Sequence, residues 1–92
     1  MTGINDVFKA LADPTRREII AMLRKGPLSS GEIAERFPTA WATVSRHLAV
    51  LREAELVTTR RNGTTITYEL NATVIQDLLG NILDWTGYGD EK

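Results

Sequence analysis

The sequence predicts a mainly α-helical domain with a small β-hairpin, an α+β fold in the order α-α-α-α-β-β-α. Three observations predict it. Apolar residues recur with a period near 3.6 along residues 4–54 and again along 72–85. Between those stretches, over about 56–70, the period falls to 2. Residues that start or stop helices stand at the boundaries, among them Asp13-Pro14, Gly26-Pro27, Ser29, Pro38 and Asn71.

Each element follows from its own residues. Ile4, Val7, Phe8 and Leu11 share one face of a first helix over about 4–12. Asp13 is a favoured N-cap and Pro14 a favoured first helical residue, so a second helix runs over about 14–25 with Ile19, Ile20 and Leu23 inward. Arg24 and Lys25 suit the negative end of its dipole, and Gly26 closes it before Pro27. Ser29 with Glu32 three residues on is a capping-box pattern and starts a short third helix over about 30–37, which Pro38 breaks. Thr39 is expected to cap a fourth helix over about 40–54, with Val44, Leu48 and Leu51 inward. In "LVTTRRNGTTITYEL", Val57 and Thr59 share one strand face, and Ile66, Tyr68 and Leu70 alternate with Thr67 and Glu69. Asn62-Gly63 between these runs predicts a hairpin with a type I′ turn, because both residues tolerate positive φ. Asn71 is expected to cap a last helix over about 72–85, and the tail 86–92 is expected to be mobile.

The totals bound the rest. Ninety-two residues make one domain, and a chain this short buries only about 60–65% of its unfolded surface. No apolar run approaches the roughly 18–20 residues of a membrane span, and the N-terminus lacks a basic and then apolar leader, so a cytoplasmic protein without membrane insertion is expected. The absence of cysteine excludes disulfides and thiolate metal sites. The net charge is −1, but it is unevenly placed. Residues 36–61 carry Arg36, Arg46, Arg52, Arg60 and Arg61 against Glu53 and Glu55, a net of +3, whereas residues 62–92 carry one Lys against five acidic groups. A locally basic stretch in a mildly acidic chain suits binding a polyanion with one face.

The stretch "TAWATVSRHLAVL" is the most informative. Opposite its apolar stripe lie Ala42, Thr43, Arg46 and Ala49, small and polar where an ordinary solvated face would carry Lys and Glu. Two short helices joined by a tight Pro-Thr turn and followed by a hairpin form a helix-turn-helix (about 30–54) with a wing (about 56–70). A small outer face lets the fourth helix enter a major groove about 12 Å wide. Candidate contacts to double-stranded DNA are therefore Thr39, Trp41, Ala42, Thr43, Ser45, Arg46 and His47, with Arg60 and Arg61 at the wing tip and Arg16 at the start of the second helix. Arg46 is the leading base reader, since Arg is the commonest partner of guanine O6 and N7. For Trp41 the alternative is packing against the third helix. For His47 it is a partly buried ring bonded to backbone. For Arg16 it is ordinary surface charge. In the last helix Val74, Ile75, Leu78, Leu79, Ile82 and Trp85 spread wider than the roughly 100° stripe one domain needs. With Ile4, Val7, Phe8 and Leu11, the residues Val74, Leu78, Ile82 and Trp85 are expected to form a homodimer interface.

The segments "VFKALADPTRREIIAMLRKGPLSSGEIAERF", "TVSRHLAVLREAELV" and "RRNGTTITYEL" resemble the ArsR-type winged helix-turn-helix repressors over about residues 4–85. "LNATVIQDLL" is similar to the SdpR-like autorepressor branch. The resemblance implies a homodimeric bacterial repressor whose first and last helices form the interface, whose fourth helix reads the major groove and whose wing contacts flanking DNA. The SdpR-like branch further implies release by a partner protein. Two departures stand out. Many members sense metal through a Cys-x-Cys in the third helix, where this chain has Ser29 and Gly31, and its one histidine is His47, so neither a metal site nor a cofactor is expected. Glu55 replaces the Gly that usually follows the reading helix. A left-handed non-Gly residue costs about 1 kcal/mol, so that helix end is expected to be shaped differently.

Other functions fit less well. A ligand- or metal-responsive sensor has no donor set here, and a winged helix devoted to protein contacts would not need the +3 stretch. An enzyme fits least: Ser45 and His47 lie two apart on one helix and do not face each other, and there is no Gly-rich phosphate loop.

Overall fold

The computed structural model describes residues 3–88. Its elements are α1 (Ile4–Leu11), α2 (Pro14–Leu23), β1 (Leu28–Ser29), α3 (Ser30–Ala34), α4 (Trp41–Glu53), β2 (Val57–Asn62), β3 (Thr65–Leu70) and α5 (Ala72–Thr86). Together they form the expected mainly α fold with a wing.

Several predicted caps form. The Asp13 carboxylate accepts from the backbone N–H groups of Thr15 (2.9 Å) and Arg16 (3.1 Å), with Pro14 at the first helical position. Ser29 and Glu32 make both halves of a capping box: Glu32 N donates to Ser29 Oγ and Ser29 N to Glu32 Oε1. Leu23, rather than Lys25, ends α2, and Gly26 follows at φ +142°, where a side chain would be strained.

Elsewhere the structure corrects the expectation. α3 stops at Ala34, not 37, as Arg36 and Phe37 make tighter bonds back to Ile33 and Ala34. Phe37 precedes Pro38, which disfavours helical backbone at that residue. Thr39 is not a cap, because the N-cap of α4 is Ala40, with no side-chain bond. The hairpin closes at the Asn62–Thr65 pair, so its loop is Gly63-Thr64 and only Gly63 has positive φ, +66°. That is the pattern of a type II′ turn, not type I′ centred on Asn62-Gly63. α5 includes Thr86, the first residue of the predicted mobile tail, and 89–92 of that tail lie outside the described residues.

The expectation for Glu55 is also overturned. It does adopt the left-handed conformation, φ +62°. Glu55 N bonds Arg52 O (2.9 Å) and Leu56 N bonds Leu51 O (3.1 Å), a complete Schellman closure with Leu51 and Leu56 both buried beneath it. Asn71 holds the bend from the other side. Its Nδ2 donates to Glu55 O (3.0 Å) and its N–H to Leu56 O (3.0 Å). That use of its amide leaves α5 without the expected Asn71 side-chain cap.

The unpredicted strand β1 pairs antiparallel with β3, Leu28 opposite Tyr68 and Ser29 opposite Thr67, giving a sheet in the order β1-β3-β2. Ser29 thus belongs to the sheet and caps α3, which joins the wing rigidly to the helix-turn-helix. The core draws on every helix: Val7 and Ala10 of α1, Ile19 and Leu23 of α2, Ile33 of α3, the Val44–Leu48–Leu51 stripe of α4 and Leu78 of α5 are all buried.

Candidate nucleic-acid interface

The reading face begins with what the core removes. Val44, Leu48 and Leu51 are buried, so α4 is fixed by one side and its opposite side stands free. Trp41, Ala42, Thr43, Ser45, Arg46 and Ala49 are all exposed. Trp41 is 53% exposed and lies outside the core cluster. Thr39 is exposed in the turn before α4. The sequence therefore placed the exposed side of α4, for a simple reason: a 3.6-residue period with three large aliphatics leaves only one choice of inner side.

The wing divides its two arginines. Strand alternation puts Arg61, opposite Ile66, on the ribbon face that further along carries Val57 and Tyr68 toward the core. Arg60, opposite Thr67, is on the other face, where its Nη2 donates to Glu69 Oε1 at 3.1 Å. Both partners of this ion pair are solvated, so it is worth about 0–1 kcal/mol and yields readily to a competing anion. The pair reads as two equivalent charges in sequence, but in the fold they point to opposite sides.

Arg16 and His47 are placed differently from the other candidates. The Arg16 guanidinium turns inward. Its Nε donates to Ala10 O (2.6 Å), its Nη2 to Lys9 O (3.1 Å) and its Nη1 to His47 Nδ1 (3.2 Å). Arg17 also donates to Leu11 O at 2.8 Å, so α2 caps the carbonyl end of α1 with two arginines. His47 Nδ1 lies 3.9 Å from Asp13 Oδ2. The Asp13 carboxyl is held below the usual carboxylate range: desolvation opposes this most, but the Arg16 and Thr15 N–H bonds and the charges of His47 and Arg16 prevail. Sequence reasoning missed this junction because Asp13 and His47 are far apart in the chain and nothing local links them.

The predicted interface residues split as well. Val7 (4% exposed) and Leu78 (8%) are core residues of their own domain, and Ile4, Leu11, Val74 and Ile82 are half-buried against it. On α1 and α5 the large apolar side chains that stay exposed are Phe8, Leu79 (54%), Leu83 (42%) and Trp85 (58%), with the Phe8 and Trp85 rings 5.8 Å apart. Leu83 was not foreseen, although it lies one turn beyond Leu79. Among the described residues no three of His, Asp and Glu converge as a metal site would need, and no helix is long and apolar enough to cross a membrane.

Comparisons with known proteins agree with this geometry. Residues 11–60 match a helix-turn-helix domain family. The transcriptional repressor SdpR of Bacillus subtilis (strain 168) is 42% identical over 87 residues, 95% of this chain and 97% of that protein. The arsenical resistance operon repressor of Staphylococcus aureus is 34% identical, over 86% of this chain and 76% of its own length. The crystal structure of an ArsR family transcriptional regulator superposes with a TM-score of 0.86 at 25% identity, covering 96% of this chain and 97% of that one.

Proposed function

The chain belongs to the ArsR-type winged helix-turn-helix repressors, and from that premise we propose that it acts as a homodimer on a two-fold symmetric operator, its own promoter included, in the cytoplasm and without a metal signal. As a member it is a DNA-binding transcriptional regulator and not an enzyme. The observation that carries the reading is the outer face of α4, which keeps Ala42, Thr43, Ser45, Arg46 and Ala49 exposed on a helix anchored by its other side. Residues near the N-terminus of a recognition helix meet base edges. Arg46 is assigned to guanine, and Trp41 supplies the apolar surface that suits a thymine methyl. Arg60 and Arg61, on opposite ribbon faces, suit the two walls of a minor groove.

One feature supports a dimer. At 100° per residue the apolar side chains of α5 from Val74 to Leu83 span about 180°, more than the roughly 100° one domain requires. Release of repression by a partner protein, as the likeness to the SdpR-like branch suggests, completes the reading.

Selection of bound duplexes from a random pool tests it. A two-fold symmetric consensus is expected, with a sedimenting species of about twice the 10.2 kDa chain mass at micromolar concentration. Enrichment of no sequence, or a clean monomer, would overturn it. Chelators and added zinc are expected to leave affinity unchanged, and a tenfold shift with a transition metal would return the metal-sensor reading.

A further inference from the structure

Three elements meet where no local pattern foretells a contact: the carbonyl end of α1, the first turn of α2 and the middle of α4. Arg16 joins all three. Its planar fork takes Lys9 O and Ala10 O of α1 with two nitrogens and His47 Nδ1 of α4 with the third. A guanidinium has donors only, so Nδ1 accepts this bond whenever that nitrogen carries no proton. Asp13 Oδ2, the cap of α2, lies on the same ring nitrogen's side at 3.9 Å. His47 is the neighbour of Arg46 in sequence, yet its side chain is only 18% exposed.

This arrangement has a consequence for reading DNA. The apolar stripe that seats α4 is non-directional and tolerates small rotations about the helix axis. A bidentate Arg–guanine contact does not tolerate them. A planar fork with fixed donor directions supplies the missing restraint, and it runs from α4 to α1, a helix of the proposed dimer interface. We propose that Arg16 and His47 are positioning residues that lock α4 to α1, so that dimer assembly sets the spacing and phase of the two reading helices. The inference rests on the dimeric DNA-binding reading. It removes Arg16 and His47 from the set of phosphate contacts and gives them a different part in the same function.

The experiment uses the consensus duplex selected by the full-length wild-type protein, and versions with the half-sites one base pair closer or farther apart. Each step displaces a half-site by about 3.4 Å and turns it by roughly a tenth of a turn. Arg16→Lys keeps the charge but loses the fork, and His47→Leu loses the acceptor. Both are expected to bind the consensus at least tenfold more weakly and to discriminate spacing less than threefold. His47→Asn, whose amide oxygen can take the place of Nδ1, is expected to stay within threefold of wild type in affinity and discrimination. The slope of log affinity against log salt should stay at the wild-type value for all three and also for Arg16→Gln, which removes the charge. Wild-type spacing discrimination in Arg16→Lys would overturn the proposal in favour of a merely stabilising role. A slope shallower by about 2 per dimer in Arg16→Gln would overturn it in favour of direct phosphate contact. If His47→Leu fails to fold, Arg16→Lys, Arg16→Gln and His47→Asn decide between these outcomes. Should the wild type select no symmetric duplex at all, the DNA-binding reading falls rather than this one.

Discussion

Arg16 and Arg46 are both helical arginines beside further polar residues, and the fold treats them oppositely. Arg16 reaches back across the α1–α2 junction and places three nitrogens on Lys9 O, Ala10 O and His47 Nδ1. Arg46 stands exposed on the far side of α4 from Leu48. The inner arginine satisfies helix-end carbonyls that would otherwise lack partners. The side chain of the outer one shows no hydrogen bond to another of the described residues. Arg16 is thus committed within the fold, while Arg46 stands open to solvent.

That contrast can be broken or sharpened by measurement. The largest effect should come from Arg46→Ala, which is expected to cost about 1–3 kcal/mol on the operator and to relax one base pair per half-site. Folding stability should change by no more than about 0.5 kcal/mol, as for other surface positions. Titration against operator and scrambled duplexes checks this, and equal weakening on both would erase the distinction between the two arginines.

Next is the wing. Changing Arg60 and Arg61 together to Ala should weaken operator and random duplex alike. In a dimer the salt slope should become shallower by as much as about 3–4. Because the two residues lie on opposite ribbon faces, the single changes should contribute independently; a slope carried wholly by one of them would mean that only one face meets DNA.

The junction has its own signature in acid. Asp13 has a folded pKa below its unfolded value. Its contribution to stability is therefore complete above the unfolded value of about 3.9 and is lost as pH falls through the folded one. Asp13→Asn keeps an N-cap acceptor without the charge. Between pH 5 and 3 it should lose less stability in denaturant titrations than the wild type, and parallel losses would show that Asp13 gains nothing from its neighbours.

The smallest effect concerns Glu55. Replacement by Gly relieves a left-handed residue worth about 1 kcal/mol, partly offset by the freer unfolded chain. A rise in Tm of a few degrees with unchanged DNA affinity is expected. A fall would show that the Glu55 side chain contributes more than its backbone conformation costs.

Much of this was legible in the residues. Asp13-Pro14 and Ser29–Glu32 determine helix starts because a cap bond closes over two or three residues. The Val44–Leu48–Leu51 period determined the inner side of α4 and hence which side stays exposed. Family membership followed from motifs covering nearly the whole chain. Strand alternation alone also places Arg60 and Arg61 on opposite faces, although the sequence reading treated them as a pair.

What only the tertiary structure decided involves partners distant in sequence. β1 is two residues long and carries no period of its own; it exists because Tyr68 and Thr67 are there to pair with it. Glu55 takes a conformation its own chemistry disfavours because Leu51 and Leu56 bury beneath the bend and Asn71 binds its carbonyl. Arg16 turns inward because α1 ends within its reach and α4 brings His47 alongside. Local sequence sets propensity and period, which are short-range energies. Which of several exposed-looking polar groups finds a partner depends on where the chain returns, and only the assembled core decides that.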